Sequence, residues 1–400
     1  MKKSITCLPY YALIILSLYT CSDNNEDVNS PQDAQATHLI SSEKIAQVVA
    51  NDIKQRYPAA SNIVSSDVTV YKITYRTQFP EGDTIQASGL LLIPTNKKDK
   101  LTLLSFQHST ILNQEEAPSA YKPVGNMEAY VGATVSASLA KGYMVVMPDY
   151  IGYGVSSNIR HPYEHKSSLA QTCLDMLKAA REFAAGNAVE IRKEIRLLGY
   201  SEGAYATMAL HQRIEEQASD QFTVERSYPG AGSYDMVGTA QWVVGQSRDL
   251  PPGATAFYLW SLLTYNELYG INMPLTAMLQ PTAAAEVNKA IASGNLMAAQ
   301  ISNKPSEVFS TNFSRGIKDS TNTPFMAALQ QNNVYNWKPN APVTLFHGEK
   351  DDIVPVLNSQ KALATMQSLN APVRFISLGE VNHAGGANKY MEAILPMLMQ

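Results

Sequence analysis

Ser201 stands between Gly199 and Gly203 in the stretch LLGYSEGAYATMAL, behind a short apolar run and ahead of a run with helical spacing. A strand that turns sharply into a helix holds the turn residue in a strained conformation, and flanking glycines remove the clashes that follow. The serine oxygen is then exposed at the carboxyl edge of a sheet, beside a helix N-terminus whose partial positive charge suits an oxyanion. That context makes Ser201 a candidate nucleophile. A serine hydroxyl needs a base to take its proton at neutral pH. Seven histidines are available: His38, His108, His161, His165, His211, His347 and His383. Where the chain order is nucleophile, acid, histidine, His383 in LGEVNHAGG is the one that lies far enough along, in a loop after the last strand. The acid that orients it must come from LFHGEKDDIVPV, which offers Glu349, Asp351 and Asp352. Spacing does not choose between the two aspartates.

The tetrahedral oxyanion of acyl transfer needs backbone donors. Glu202, next after the nucleophile, supplies one N–H, and its side chain has no necessary part in catalysis. The second donor belongs to the loop after the first parallel strand, SFQHSTIL, at Ser109 or Thr110. His108 precedes the serine and reads as a hydrogen-bonded loop residue. His161 and His165 have no metal-site partners at useful spacing, so no metal is expected.

These residues must be positioned by alternating strands and helices. Ser41 followed by Glu43 and by Ile45, Val48, Val49 and Ile53 at helical spacing predicts a helix over 41–57. Residues 67–77 and 85–94 predict an antiparallel strand pair. Apolar runs at 101–107, 143–149, 195–199, 222–230, 342–348 and 372–378 read as strands, with helices over 127–142, 167–185, 204–217 and 357–369 among them. Such interleaving predicts a mostly parallel sheet with helices on both faces. Over 235–340 the alternation stops and the sequence turns helical and apolar, notably in FYLWSLLTYNELYG, which predicts an inserted cap over one end of the sheet. Aromatic and leucine stripes of this kind are more often a cap's own core than a lipid-facing surface.

Composition is that of a globular protein, with 45% hydrophobic and 16% charged residues and a net charge of −4. No basic stripe is present, which argues against nucleic acid. Lys2 and Lys3 precede an apolar stretch over 8–19 that is short for a membrane span and reads as a signal peptide. It ends in LYTC, which resembles a bacterial lipoprotein signal and implies that Cys21 is lipidated and becomes the mature N-terminus. Residues 22–40 begin polar and acidic and read as a solvated tether; this start is similar to the export signal of surface lipoproteins in some Gram-negative bacteria. Export with an N-terminal lipid in the outer membrane, open to the cell surface, is the expectation. Of the three cysteines, Cys7 lies in the leader and Cys173 is the one in the body, so no internal disulfide is expected.

Seven stretches in register, QHST, GYMVVMPDYIGYG, HPYEHKSSLAQTCLDMLKAAR, GYSEGAYATMAL, YPGAGSYDM, WKPNAPVTLFHGEKDDIVP and NHAGG, resemble the secretory lipase family, lipase-A type, of α/β-hydrolases from about residue 68 to the end. The resemblance implies an α/β-hydrolase fold: a core over 41–234 and 341–400, with a helical cap or lid over 235–340. The family pattern H-G-x-x-D-x-x-V-P falls on His347, Gly348, Asp351, Val354 and Pro355, and so selects Asp351. Ser109 stands where a glycine is common in such oxyanion loops. Asp149, Tyr150 and the glycines of PDYIGYG match as well and read as loop architecture beside the pocket. The implied activity is a serine ester hydrolase, carboxylesterase or lipase, with Ser201, Asp351 and His383 working through an acyl-enzyme and without metal or organic cofactor. Its substrate would be a small-molecule, glyceride or acylated-glycan ester. A serine peptidase of the same fold is the alternative from the same residues, and a non-catalytic surface-tethered binding protein is the other. Acyl length, alcohol identity and oligomeric state are not written in the sequence.

Overall fold

A computed structural model describes residues 37–79, 82–96, 100–122, 127–138, 142–292 and 300–399. The expected leader over 1–21, Cys21 and the tether as far as residue 36 lie outside the described residues. Among the described residues, nine strands form one sheet: β1 (Leu39–Val48), β2 (Val68–Gln78), β3 (Thr84–Pro94), β4 (Leu101–Gln107), β5 (Tyr143–Pro148), β6 (Ile191–Tyr200), β7 (Thr223–Gly230), β8 (Val343–His347) and β9 (Val373–Ser377). Their order is β1-β2-β3-β5-β4-β6-β7-β8-β9. β1 to β3 are antiparallel and join β5 antiparallel; β5, β4, β6, β7, β8 and β9 run parallel. β4 and β5 are buried at every position, as strands covered on both faces must be.

Among the described helices, α1 is Ala50–Arg56, α2 Met127–Ala137, α3 Lys166–Gly186 and α4 Glu202–Gln217. Between β7 and β8 come α5 (Met236–Val244), α6 (Ala254–Leu268), α7 (Leu275–Met278), α8 (Pro281–Ala292), α9 (Pro305–Val308), α10 (Thr311–Lys318) and α11 (Thr323–Gln331); α12 (Leu357–Ser368) and α13 (His383–Leu398) complete the chain. One core layer holds Leu169, Phe183, Met208, Ala362 and Met366 from α3, α4 and α12, continuous with the helices between β7 and β8. A second holds Ile53, Tyr130, Ala133, Tyr390, Ile394 and Leu398 from α1, α2 and α13. The apolar stretch of α6 turns Leu259, Leu262, Leu263 and Tyr265 into the first layer.

The helix expected over 41–57 is not there. β1 occupies its first half, pairing Ser42 with Ile73, Lys44 with Tyr71 and Val48 with Val68, and only α1 remains helical. The free edge of β2 offers a row of unpaired peptide groups, and satisfying them outweighs a local helical preference worth a few tenths of a kcal/mol per residue. The chain is also tied down before residue 41: the Glu182 carboxylate accepts the backbone N–H groups of Thr37 at 3.0 Å, His38 at 3.0 Å and Leu39 at 2.7 Å. The last four residues of the expected tether therefore lie on the body.

Candidate active site

β6 ends at Tyr200, and Ser201 turns the chain into α4 with φ 57° and ψ −124°. The glycines permit this turn by close contact. A Cβ on Gly199 would land on the carbonyl oxygen of Gly203, and one on Gly203 would land on the carbonyl oxygen of Gln107 at the end of β4. Ser201 itself is anchored by its N–H, which donates to Gly230 O at 2.8 Å.

The three side chains singled out in the sequence come together from three loops at the carboxyl edge of the sheet. His383 Nε2 lies 3.0 Å from Ser201 Oγ, and His383 Nδ1 lies 2.7 Å from Asp351 Oδ2. Asp351 has no exposed side-chain surface, while His383 keeps 12% of its own. Asp352, left open by spacing, faces elsewhere and accepts the backbone N–H of His383 at 3.3 Å. Asp351 Oδ1 accepts the N–H groups of Ile353 and Val354 at 3.0 and 2.8 Å. His347 adds a partner that sequence reasoning missed: its Nε2 lies 3.3 Å from Asp351 Oδ2 and 2.9 Å from Val354 O, two acceptors, so that nitrogen carries a proton. Burial alone would raise the Asp351 pKa, but hydrogen bonds from His347 and His383 and their charges outweigh it and pull it down to about 2. The acid is thus fixed as an anion that can stabilise a protonated His383.

The candidate oxyanion donors divide. The N–H of Glu202 lies in the first turn of α4, where no intrahelical acceptor exists. Ser109 is engaged: its N–H points at the Glu128 carboxylate at 3.1 and 3.2 Å, and its Oγ donates to the same group at 2.7 Å. Thr110, the other candidate, bonds Tyr163 Oη through its hydroxyl at 2.8 Å, and both residues border the pocket over Ser201. The loop that carries both is braced from below. His108 stacks on Tyr150 at 4.0 Å, and Tyr150 Oη donates to His108 O at 3.0 Å. Asp149, buried, takes Ser88 Oγ at 2.5 Å and Ser119 N–H at 2.8 Å, the architectural part expected of it.

Behind Glu202 sits a second buried pair. His161 Nε2 lies 2.7 Å from Glu202 Oε1, its Nδ1 lies 2.6 Å from Ile151 O, and Glu202 Oε2 has no hydrogen-bond partner. Beside it the pocket over Ser201, of about 230 Å³, is lined by Tyr163, Glu164, Ser233, Phe257 and Tyr258 among others. Phe257 and Tyr258 come from α6, so the segment between β7 and β8 closes the pocket, with Tyr258 Oη donating to Ile353 O. Burial pushes the Glu164 carboxyl up to about 7, against hydrogen bonds from Ser233 and Ser261. Cys173 is a free, buried thiol whose pKa burial raises.

A family model described as Secretory lipase matches residues 126–384. No curated protein matches the chain. Among solved structures, a candidate hydrolase from Legionella pneumophila shares 24% identity at a TM-score of 0.81, covering 90% of this chain and 97% of that one. The rice cell wall degrading esterase LipA from Xanthomonas oryzae is similar at 24% identity and a TM-score of 0.74, over 91% and 97% of the two chains. Candida antarctica lipase A is similar at 15% identity and 0.63, over 88% and 79%. Likeness at these identities is likeness of fold, and the fold is that of the α/β-hydrolases.

Proposed function

The chain belongs to the secretory lipase family, and from that premise we propose that it is a serine carboxylic-ester hydrolase. The observation that carries the reading is the unbroken line from Asp351 Oδ2 through His383 to Ser201 Oγ, with spacings of 2.7 and 3.0 Å. Ser201 Oγ attacks the ester carbonyl carbon as His383 Nε2 takes its proton. The oxyanion is held by the N–H groups of Glu202 and Thr110. Collapse of the tetrahedral species breaks the C–O bond to the alcohol, which leaves with the proton from Nε2. Water repeats the sequence on the acyl-enzyme and releases the acid. Asp351 holds His383 in the tautomer with its free lone pair toward Ser201 and stabilises the imidazolium.

The family points to export, and the LYTC junction supports anchoring in the outer membrane through a lipid on Cys21. The primary test is hydrolysis of nitrophenyl acetate, butyrate, octanoate and palmitate by the chain from residue 30, beside Ser201→Ala. Activity that disappears in the variant is expected. A folded protein inert on every ester refutes the reading, and peptide cleavage by such a protein would move the same residues to a peptidase.

A further inference from the structure

Buried acids in this protein come with a cationic or histidine partner, and one does not. His161 faces Glu202, Lys361 faces Asp235, and Lys178 faces Asp175, while the His108 ring acts on Asp149. Glu164 is buried as they are, at 4% exposure. Its carboxyl has hydrogen bonds from the hydroxyls of Ser261, at 3.0 Å, and Ser233, and the charged group acting on it is Glu202, itself an acid. Among the described residues it has no ion-pair partner. Its backbone is held in place as well. Glu164 adopts the left-handed conformation, with φ 48°, which is unfavourable for any residue but glycine. Tyr265 Oη from α6 donates to its carbonyl at 2.7 Å and fixes that turn.

The carboxyl so placed borders the pocket that holds Ser201 and His383. Three aromatic side chains border it too: Tyr163, next to Glu164, and Phe257 and Tyr258 from α6. Ile353 and Val354 add apolar surface, Ser109 and Thr110 add hydroxyls, and no Lys or Arg lines the pocket. Aromatic rings attract a cation through their quadrupole, and a carboxylate beside them neutralises it. We propose that Glu164, with Tyr163, Phe257 and Tyr258, holds an ammonium group of the substrate, which makes the substrate class a cationic ester; the proposal rests on the ester-hydrolase reading. Burial pushes the Glu164 carboxyl up to about 7, as befits a charge without a counterion, and an ammonium in the pocket supplies that counterion. The ammonium can sit on the alcohol or on the acyl part of the ester.

Two isosteric pairs, compared at pH 8, separate charge from shape. Choline butyrate and neohexyl butyrate differ by a cation on the alcohol; betaine ethyl ester and ethyl tert-butylacetate differ by one on the acyl part. The readout is the ratio of kcat/KM for the cationic ester to that for its neutral isostere. Glu164→Gln should lower this ratio at least about tenfold in one pair, the scale of a desolvated cation losing its site. Comparing ratios between variants cancels the reactivity that positive charge itself gives an ester, and the pair that responds shows which side bears the cation. Phe257→Leu, at a half-buried position, removes one ring and should lower the same ratio about threefold; it decides the matter if Glu164→Gln does not fold. Ratios that Glu164→Gln leaves unchanged, with the esters hydrolysed, overturn the ammonium site and leave the ester hydrolase standing. If no ester is hydrolysed, that reading falls, and the site is judged by calorimetric titration of Ser201→Ala with choline. Binding that an added Glu164→Gln weakens supports it, and absence of binding overturns it.

Discussion

Replacing Asp351 with asparagine changes few atoms and should abolish most turnover, for a reason that lies in its surroundings. Oδ1 accepts two backbone N–H groups, from Ile353 and Val354, so the amide oxygen of an asparagine must stay there. Its NH2 is then forced toward His383 Nδ1 and the protonated His347 Nε2. Facing a donor, Nδ1 becomes an acceptor, the proton moves to Nε2, and Ser201 loses its base. The same exchange in a serine protease triad lowers kcat by about 10⁴, and a loss of that order is expected here. Asp352→Asn keeps its contact to a backbone N–H and should fall less than about tenfold, short of one 1.4 kcal/mol step. Stability provides an independent reading. The Asp351 pKa is depressed from 3.8 to about 2, so its contribution, about 2 kcal/mol, is present above pH 3.8 and lost as pH falls through 2. Asp351→Asn should flatten that limb of an acid unfolding curve. Nitrophenyl acetate kinetics and urea midpoints from pH 2 to 5 measure both. Equal losses in the two asparagine variants refute the tautomer argument.

Three other perturbations have signs set by the structure. Glu164, raised from 4.5 to about 7 by burial, favours its neutral form when folded; stability should decline from about pH 4.5 to 7, by about 3 kcal/mol, and Glu164→Gln should remove that decline, as denaturant midpoints at pH 5 and 8 would show. His161→Ala strips Glu202 of the partner of Oε1 while Oε2 has none, which should cost about 3–5 kcal/mol; a loss below about 1 kcal/mol, the scale of an exposed pair, would mean the pair is not buried as found. Cys21→Ala should shift the full-length protein from the membrane fraction to the soluble one on immunoblots, and unchanged retention would count against the lipid anchor.

What the sequence disclosed of the site follows how each residue is specified. Ser201 was legible as the candidate nucleophile because that role requires a local backbone shape, and Gly199 and Gly203 write that shape into adjacent letters. His383 was legible by chain order, since a loop after the last parallel strand must lie at the same sheet edge as Ser201. Asp351 needed more, because neighbouring residues point apart and only the family pattern, not spacing, chose it over Asp352. The oxyanion loop was legible as a place and not as a donor, because a backbone N–H leaves no trace in residue type; that Ser109 spends its own on Glu128, 19 residues away, belongs to the packing of α2. The His161–Glu202 pair, 41 residues apart, has no periodicity for the same reason. β1 shows the converse: its apolar spacing fitted a helix, and the free edge of β2 decided otherwise.

The site's polar groups also grade in solvent exposure, and the grading bears on how it would work. Asp351 is fully enclosed and fixed by four donors, His383 is partly open, and Ser201 faces the pocket. The group that must keep one charge throughout is the one most completely hydrogen-bonded. His383, which the proposed mechanism has gain and lose a proton, retains contact with solvent. Enclosing His383 as completely as Asp351 would penalise the imidazolium through desolvation, and opening Asp351 to water would weaken its hold on that imidazolium by raising the local dielectric. The greater burial of Asp351 than of His383 is what the proposed proton transfer through His383 requires.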